Sequence, residues 1–253
     1  MFSASLRPAS AETFPLQKTP TFLAGRFNRG YRLGVRASRY RRGGFARGNC
    51  PDRASFIPLV PDIAPEAESA ETVPTLTQNL PVPTYLSASS HPVFFVNLPD
   101  LPATQGKLFI DNADPGVSRN QRQVYKVDFE LSGEPGIVGI RIPNNAPRLV
   151  PGQTYLWRLS IACTPESVSN IVIFRGGVID QVVEASGTPD QQLDSYLEQE
   201  VWQNLLTTVA ENRYRNPGNS QAETDWREFV ESSGLGTLAT VPVVEFVDAR
   251  FVE

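Results

Sequence analysis

The chain has 253 residues, of which 40% are hydrophobic and 20% are charged, and its formal net charge at pH 7 is −4. A chain of this size and composition can bury one sizeable core with room for a small satellite cluster. No stretch approaches about 18 uninterrupted apolar residues, so we expect no transmembrane segment.

The N-terminus carries a pattern of small residues, Ala9-Ser10-Ala11, that is typical of a signal-peptide cleavage site. Met1 to Leu6 are too few to supply both the basic start and the apolar run of a complete signal. Either the true translation start lies further upstream or the match is chance. We expect residues 1–11 to be a signal-peptide remnant and the mature chain to be extracytoplasmic, in the periplasm or cell envelope.

Cysteine usage points the same way, since the chain contains only Cys50 and Cys163, together with a single histidine, His91. There is no Cys-x-x-Cys motif and no Cys/His cluster, which argues against thiolate and imidazole metal sites. We expect a disulfide between Cys50 and Cys163, and the alternative is two unrelated buried thiols. The bridge would close a loop of about 110 residues, for which the chain-entropy model gives about 4 to 5 kcal/mol.

Charge is distributed unevenly along the chain. Residues 1–55 hold 11 Lys/Arg and two acidic residues, whereas residues 56–253 hold 12 Lys/Arg and 25 acidic residues. Arginine alternates with glycine and aromatic residues in 12–49, a composition that cannot bury enough apolar surface to fold alone. We therefore expect an extended or disordered arm. This arm is either a solvated linker or a contact site for a partner, which would be an unknown envelope protein or an acidic envelope polymer. Nucleic acid is disfavoured as a partner if the protein is exported. The candidate partner-binding residues of the arm are Arg39, Arg41, Arg42 and Arg47.

Residues 50–253 form a single predicted domain, which begins with an extended segment and loop over 50–84. Within that segment Phe56 to Pro61 is apolar but bounded by prolines, which favours an edge strand or a docked extended segment. Six short strands follow between 85 and 185, separated by turn sequences. Their alternation, clearest from Val124 to Leu131, predicts antiparallel strands with one buried face.

The fold class is therefore mainly β with a C-terminal helical part: an antiparallel, immunoglobulin-like β-sandwich with two α-helices packed on it. The side chains expected to point inward are Phe94, Val127, Phe129, Ile140, Trp157, Leu159 and Ile173.

The helical pair is predicted over 188–233. Thr188-Pro189-Asp190 has the form of a helix start, and the apolar period predicts a helix of about 20 residues that ends at Arg213. A second helix follows a capping box of Ser220 and Glu223, with Gly234 suited to its C-terminal cap. The 9 acidic and 3 basic residues of this region indicate a solvated face. Residues 234–253 are expected to be a tail, with a final edge strand at Val241 to Val247 that Pro242 weakens.

Motifs for chemistry are absent from the sequence, so we expect no catalytic residue, no cofactor and no metal. A serine nucleophile would need His91 as its base, but His91 lies at the start of a strand and no Gly-x-Ser-x-Gly elbow is present. Tyr155 and Trp157 lie two positions apart on one strand face. If exposed they would form a partner-binding platform, and if buried they belong to the core.

Several short segments, in their order along residues 41–235, resemble cyanobacterial proteins that share the domain of unknown function 928. The segments that carry this resemblance are Arg47-Gly48-Asn49-Cys50, Phe56 to Pro61, Thr75-Leu76-Thr77, Ser132 to Ile137, Leu149 with Gly152, Tyr155 and Trp157, and Ile161-Ala162-Cys163. The resemblance implies an exported, β-rich envelope protein with a helical C-terminal part and no established activity. Where the family pattern has a Trp-Tyr-Asp-like cluster at the second helix, this chain has Asp225-Trp226-Arg227, which leaves the register of that helix open.

Three classes of function stay open after the sequence. A non-enzymatic envelope scaffold or protein-interaction module comes first, because it needs only the features named above. A carbohydrate- or lipid-binding envelope module is the alternative, and it requires exposed aromatic residues. A hydrolytic enzyme ranks third, because it requires converging ionisable groups in a concave site.

Overall fold

A computed structural model describes residues 46–47, 56–61, 84–100, 105–114, 116–162, 171–182 and 187–252, with 46–47 and 171–182 described at the level of the backbone. Within these ranges the chain forms two β-sheets and three α-helices. The larger sheet has the spatial order β1 (Ala46–Arg47), β9 (Ile171–Val182), β8 (Tyr155–Ala162), β5 (Gln105–Asn112), β6 (Gln123–Glu130) and β11 (Arg250–Val252), and β3 (Thr84–Ser87) also pairs with β9. The smaller sheet has the order β10 (Val243–Asp248), β7 (Gly136–Arg141), β4 (Val93–Leu98) and β2 (Ile57–Pro58).

The two sheets face each other across a shared core. Along β6 and β8, buried side chains alternate with partly exposed ones, as expected for strands with one buried face. The rings of Phe94 and Trp157 meet across the core with their centroids 5.1 Å apart. Of the residues predicted to point inward, six are buried, namely Phe94, Val127, Phe129, Ile140, Trp157 and Leu159, whereas the side chain of Ile173 lies outside the description.

Strand pairing is mostly antiparallel, as predicted, but two pairs are parallel, so both sheets are mixed. β10 pairs in parallel with β7, and β3 pairs in parallel with β9. A long connection is needed to bring a strand back in the same direction. Between β7 and β10 that connection includes β8, β9 and the helical region, and sequence alternation alone does not reveal it.

The last described residues complete both sheets. The edge strand predicted at Val241 to Val247 is present as β10, whereas β11 was not predicted. β10 forms one edge of the smaller sheet, and after Ala249 the chain continues as β11 on the edge of the larger sheet. The amide of Ala249 donates to the carbonyl of Arg141 at 3.0 Å. One chain segment thus joins neighbouring edges of the two sheets. On the other side of the smaller sheet, β2 is an edge strand within Phe56 to Pro61, as predicted.

Three helices replace the two predicted: α1 (Pro189–Glu198), α2 (Trp202–Arg215) and α3 (Ser220–Ser232). The helix start predicted at Thr188 is confirmed: Thr188 is the N-cap of α1, and it forms a capping box with Gln191 that was not predicted. The expected single helix to Arg213 is interrupted because Glu200 adopts a left-handed backbone with φ of 57°. Its apolar period nevertheless continues into α2.

The N-terminal cap of α3 differs from the predicted one, whereas its C-terminal cap agrees with the prediction. Asn219, rather than Ser220, is its N-cap, and its side chain accepts from the amides of Gln221 and Ala222 at 3.0 and 3.1 Å. At the C-terminus Gly234 has φ of 64°, which suits glycine and agrees with its predicted role.

Candidate functional site

Tyr155 and Trp157, one of the two candidate partner-binding groups, are core residues with 1% of their surface exposed. The indole nitrogen of Trp157 donates to the hydroxyl of Tyr85 at 2.7 Å. The hydroxyl of Tyr155 accepts from the amide of Val150 and donates to Gln153 Oε1, both at 2.8 Å. Burial raises the pKa of Tyr155. Of the two alternatives left by the sequence, the structure therefore supports the core and excludes an exposed platform.

The arginine-rich arm meets the folded part of the chain at β1. Arg47 lies in β1 and pairs with Ile171 of β9, which makes β1 an edge strand of the larger sheet. Arg39, Arg41 and Arg42 lie outside the described residues, so their role as partner contacts stays a prediction. The structure thus gives the arm a defined point of attachment.

The same sheet edge bears on the predicted disulfide, although Cys50 and Cys163 both lie outside the described residues. Arg47 pairs with Ile171, and Ile171 pairs with Ala162 of β8. Two interstrand spacings, roughly 10 Å, therefore separate the Cα atoms of Arg47 and Ala162. β1 and β8 both run antiparallel to β9, so they leave the sheet at the same end. Cys163 follows Ala162 directly and Cys50 comes three residues after Arg47, a length of chain that can span about 10 Å.

The outer face of the larger sheet carries a set of paired charges that the sequence analysis did not single out. Arg158 binds Asp111 through two nitrogens at 2.7 and 3.3 Å, and its guanidinium lies 4.8 Å from the ring centroid of Phe109. Lys107 and Asp128, which face each other on neighbouring strands, form an ion pair at 3.0 Å. The sequence signal that could have revealed these pairs is the alternation of charged residues along β5 and β6. The charges within each of these pairs compensate each other.

Buried polar side chains of α2 hold the helices against the sheets. Gln203 Nε2 donates to the carbonyl of Val93 in β4. Asn204 Oδ1 accepts from the amide of Ala88 at 2.8 Å. The ring of Trp202 packs on Tyr85 with a centroid distance of 5.1 Å. The helices and sheets are thereby connected through specific contacts rather than through apolar packing alone.

Arg213, at the end of α2, is a buried cation that links three parts of the chain. Its Nε and Nη2 lie 2.9 Å from Glu223 Oε2 on α3. Its Nη1 donates at 2.6 Å to the carbonyl of Val241, just before β10. The guanidinium carbon lies 5.2 Å from the ring centroid of Trp226. These contacts assign Arg213 a structural role at the junction of α2, α3 and the smaller sheet.

Two carboxylates of α3 differ from the solvated face predicted for this region. Asp225 is 2% exposed and accepts from Gln221 Nε2 at 2.8 Å. Burial raises the pKa of Asp225, the hydrogen bond from Gln221 lowers it, and the charge of Glu228 raises it. Glu228 Oε2 is also buried and accepts no hydrogen bond within the described part of the chain.

Residues suited to metal or acid–base chemistry are dispersed. In the described ranges, no three His, Cys, Asp or Glu side chains are grouped to hold a metal ion. His91 Nε2 lies 3.0 Å from the carbonyl of Ala146, and Nδ1 lies 3.3 Å from Ser90 Oγ. The ring thus connects the start of β4 to the loop after β7, close to the strand-edge position predicted for it.

None of the described helices combines the length and apolarity needed to cross a membrane. In a comparison with known families, the model described as Domain of Unknown Function (DUF928) matches residues 42–243. No curated protein and no solved structure matches the chain. The family match agrees with the resemblance seen in the sequence, whereas cyanobacterial origin stays an expectation.

Proposed function

The chain belongs to the DUF928 family, a family of unknown function. From its architecture we propose that the protein is a non-enzymatic scaffold or protein-interaction module of the cell envelope. One observation carries the proposal: the arginine-rich arm enters the larger sheet through Arg47 in β1. A basic segment joined to a folded body in this way can hold that body against an acidic envelope polymer or an acidic surface of a protein. Attraction of this kind needs no catalytic group.

The contacts of α2 support the same proposal. Gln203 connects α2 to β4, whereas Asn204 and Arg213 connect it to segments next to β3 and β10. A body whose helices and sheets are tied together presents its surfaces in fixed relative positions, as a scaffold requires. We further propose that its two sheets form an immunoglobulin-like sandwich, which an experimental structure of the mature protein would test directly.

The other two classes of function rank below the scaffold. A carbohydrate- or lipid-binding module would gain from an exposed aromatic platform, but Tyr155 and Trp157 are buried. A hydrolytic enzyme would need ionisable groups that converge on one site. The charged side chains described on the larger sheet instead pair with one another.

Affinity purification from the native envelope tests the proposal, with the wild-type chain compared with an Arg39/Arg41/Arg42→Gln variant. We expect the wild type to retain a defined envelope protein or acidic polymer, and the variant to lose it at low ionic strength. The variant should keep the thermal stability of the wild type, which excludes misfolding as the cause. Turnover of a polysaccharide or ester by purified protein that retains no partner would contradict the proposal.

Export and the disulfide are part of the same proposal, and each has its own test. N-terminal sequencing of the mature protein should show cleavage after Ala11 or nearby, and an uncleaved cytoplasmic chain would rule out export. Peptide mass mapping without reductant should show Cys50 joined to Cys163. Two free thiols in protein from the envelope would favour the alternative of unrelated buried cysteines.

A further inference from the structure

A row of basic residues crosses the larger sheet, and we call it the cationic row. Phe109 of β5 pairs in register with Lys126 of β6 on one side and with Arg158 of β8 on the other. Arg158 pairs in turn with Arg175 of β9, a strand described through its backbone. These four positions follow one line across four strands, a span of roughly 14 Å at the usual interstrand spacing. Three of the four residues are basic, and none is acidic.

The side chains of the row that the structure describes lie on the outer face of the sheet. Phe109, Lys126 and Arg158 are partly exposed. The residues that alternate with them along the same strands are buried in the core, namely Leu108, Ile110, Tyr125, Val127, Trp157 and Leu159. Because successive side chains of a strand point to opposite faces, the row is accessible from solvent.

The carboxylates of this face are already bound to basic residues. The strands β5, β6, β8 and β11 together contain three acidic and four basic residues. Each carboxylate forms an ion pair with a different basic side chain, in the pairs Asp111–Arg158, Asp128–Lys107 and Glu130–Arg250. Lys126 is the basic residue that remains. It forms no ion pair or hydrogen bond with any other described residue.

The neighbours of Lys126 across the sheet are apolar. Lys126 lies between Phe109 of β5 and Val252 of β11 in the strand register. Its ammonium group carries three hydrogen-bond donors. Uncompensated positive charge is unexpected in this part of the chain, because residues 56–253 hold 12 Lys/Arg and 25 acidic residues. The position is therefore suited to an anion supplied by another molecule.

Arg158 is held in place with part of its donor set unused. Its Nε and Nη2 bind Asp111 at 2.7 and 3.3 Å, and the guanidinium lies 4.8 Å from the ring centroid of Phe109. Its Nη1 has no partner within the described ranges, so the donors of this nitrogen are available to a ligand. Like charges directly opposite each other on neighbouring strands are unfavourable. A bound anion would reduce this cost where Arg158 pairs with Arg175.

We propose that the cationic row binds carboxylate groups of a linear acidic polysaccharide that lies across the strands. Lys126 and Arg158 are two interstrand spacings apart, about 10 Å, which favours two charged groups of one polymer over a single compact anion. The partly exposed Phe109 between them provides an apolar contact for a sugar ring. Asp111 is a positioning residue, because it orients the guanidinium of Arg158. The anion site stands apart from the proposed scaffold function, whereas its occupation by an envelope polymer rests on that function.

Titration calorimetry of the full chain with an oligogalacturonate tests the site. The background is the Arg39/Arg41/Arg42→Gln variant, which removes the contribution of the arm. Lys126→Gln in this background should weaken binding about three- to tenfold, as expected for a partly exposed charged contact. Lys126→Arg keeps the charge and should retain the affinity.

The matched control for net charge is Arg227→Gln. Arg227 lies on α3, where it contacts Thr224 Oγ1 at 3.5 Å, and its replacement removes the same charge from a different part of the fold. This variant should bind the oligogalacturonate as the background does. An equal loss for Arg227→Gln and Lys126→Gln would overturn the proposal, because binding would then follow net charge alone.

Thermal unfolding gives a second measurement, since a ligand that binds the folded state raises Tm. Oligogalacturonate should raise the Tm of the background more than that of the background carrying both Lys126→Gln and Arg175→Gln. Equal increases would overturn the site, as would equal binding of neutral dextran. Tighter binding of duplex DNA than of oligogalacturonate would overturn the choice of polymer. Binding at the row without recovery of any polymer or protein from the envelope would contradict the proposed function alone.

Discussion

Replacement of Arg213 by methionine tests whether the junction of α2, α3 and the smaller sheet depends on a buried cation. Methionine keeps most of the side-chain volume but removes the bonds to Glu223 and to the carbonyl of Val241. Hydrogen bonds that involve a charge contribute about 1.5 to 3 kcal/mol each. The Glu223 side chain is 40% exposed, so its share is reduced by solvent screening. We expect a loss of about 2 to 3 kcal/mol, which lowers Tm by roughly 4 to 10 °C in a domain of this size.

Arg215 provides a matched control on the same turn of α2. Its side chain is 64% exposed, and it forms an ion pair with Glu211 four residues earlier. Such a pair contributes about 0.3 to 0.5 kcal/mol, so Arg215→Met should shift Tm by less than about 2 °C. Calorimetry of both variants and the wild type at pH 7 measures the difference. Equal shifts for Arg213→Met and Arg215→Met would refute the structural role assigned to Arg213.

Three further predictions concern single buried positions. Because the pKa of Asp225 is raised, its carboxyl group keeps its proton to a higher pH in the folded state than in the unfolded chain. Stability therefore falls as pH rises from the ordinary aspartate range to the raised pKa. Asp225→Asn should remove that fall and raise Tm at pH 7, and an unchanged pH profile would contradict the assignment. Tyr125 Oη is buried without a hydrogen bond in the described ranges, so Tyr125→Phe should leave Tm unchanged or raise it. A loss of more than about 1 kcal/mol in unfolding free energy would show that the hydroxyl has a partner. A Cβ on Gly139 would lie 2.6 Å from the ring of Phe246. Gly139→Ala should therefore lower the free energy of unfolding, measured with denaturant, by about 1 to 3 kcal/mol. A Cβ on Gly116 would meet no neighbouring atom within 4 Å, so Gly116→Ala should be close to neutral.

Elements governed by local sequence patterns could be predicted well. The alternation in Val124 to Leu131 reflects one buried face, and β6 covers most of that segment. The helix start predicted at Thr188 is present because the geometry of an N-cap depends only on residues in the first turn. Gly234 ends α3 for a similarly local reason, since glycine adopts the left-handed conformation without a side-chain clash.

Features that depend on distant partners could not be read from the sequence. The break at Glu200 occurs inside a continuous apolar period, and no glycine or proline marks it. Asp225 is buried although aspartate is usually exposed, because tertiary contacts decide burial. Tyr155 and Trp157 illustrate the same limit: an aromatic pair on one strand face has the same sequence pattern whether it is exposed or buried. The parallel entry of β10 beside β7 likewise depends on the whole path of the chain.

The segment from Val243 to Val252, which joins the two sheets, also sets the time at which the fold can be completed. Val243 pairs with Ile137, more than 100 residues earlier in the sequence, and contacts between such distant residues form slowly because a long loop must close. A nascent chain that has emerged only as far as α3 lacks the edge strand of both sheets. If the exported chain crosses a membrane unfolded, this late closure keeps it in a threadable state until the segment from Val243 to Val252 has been synthesised. Circular permutation that moves the segment ahead of β2 should therefore accelerate folding and impair translocation.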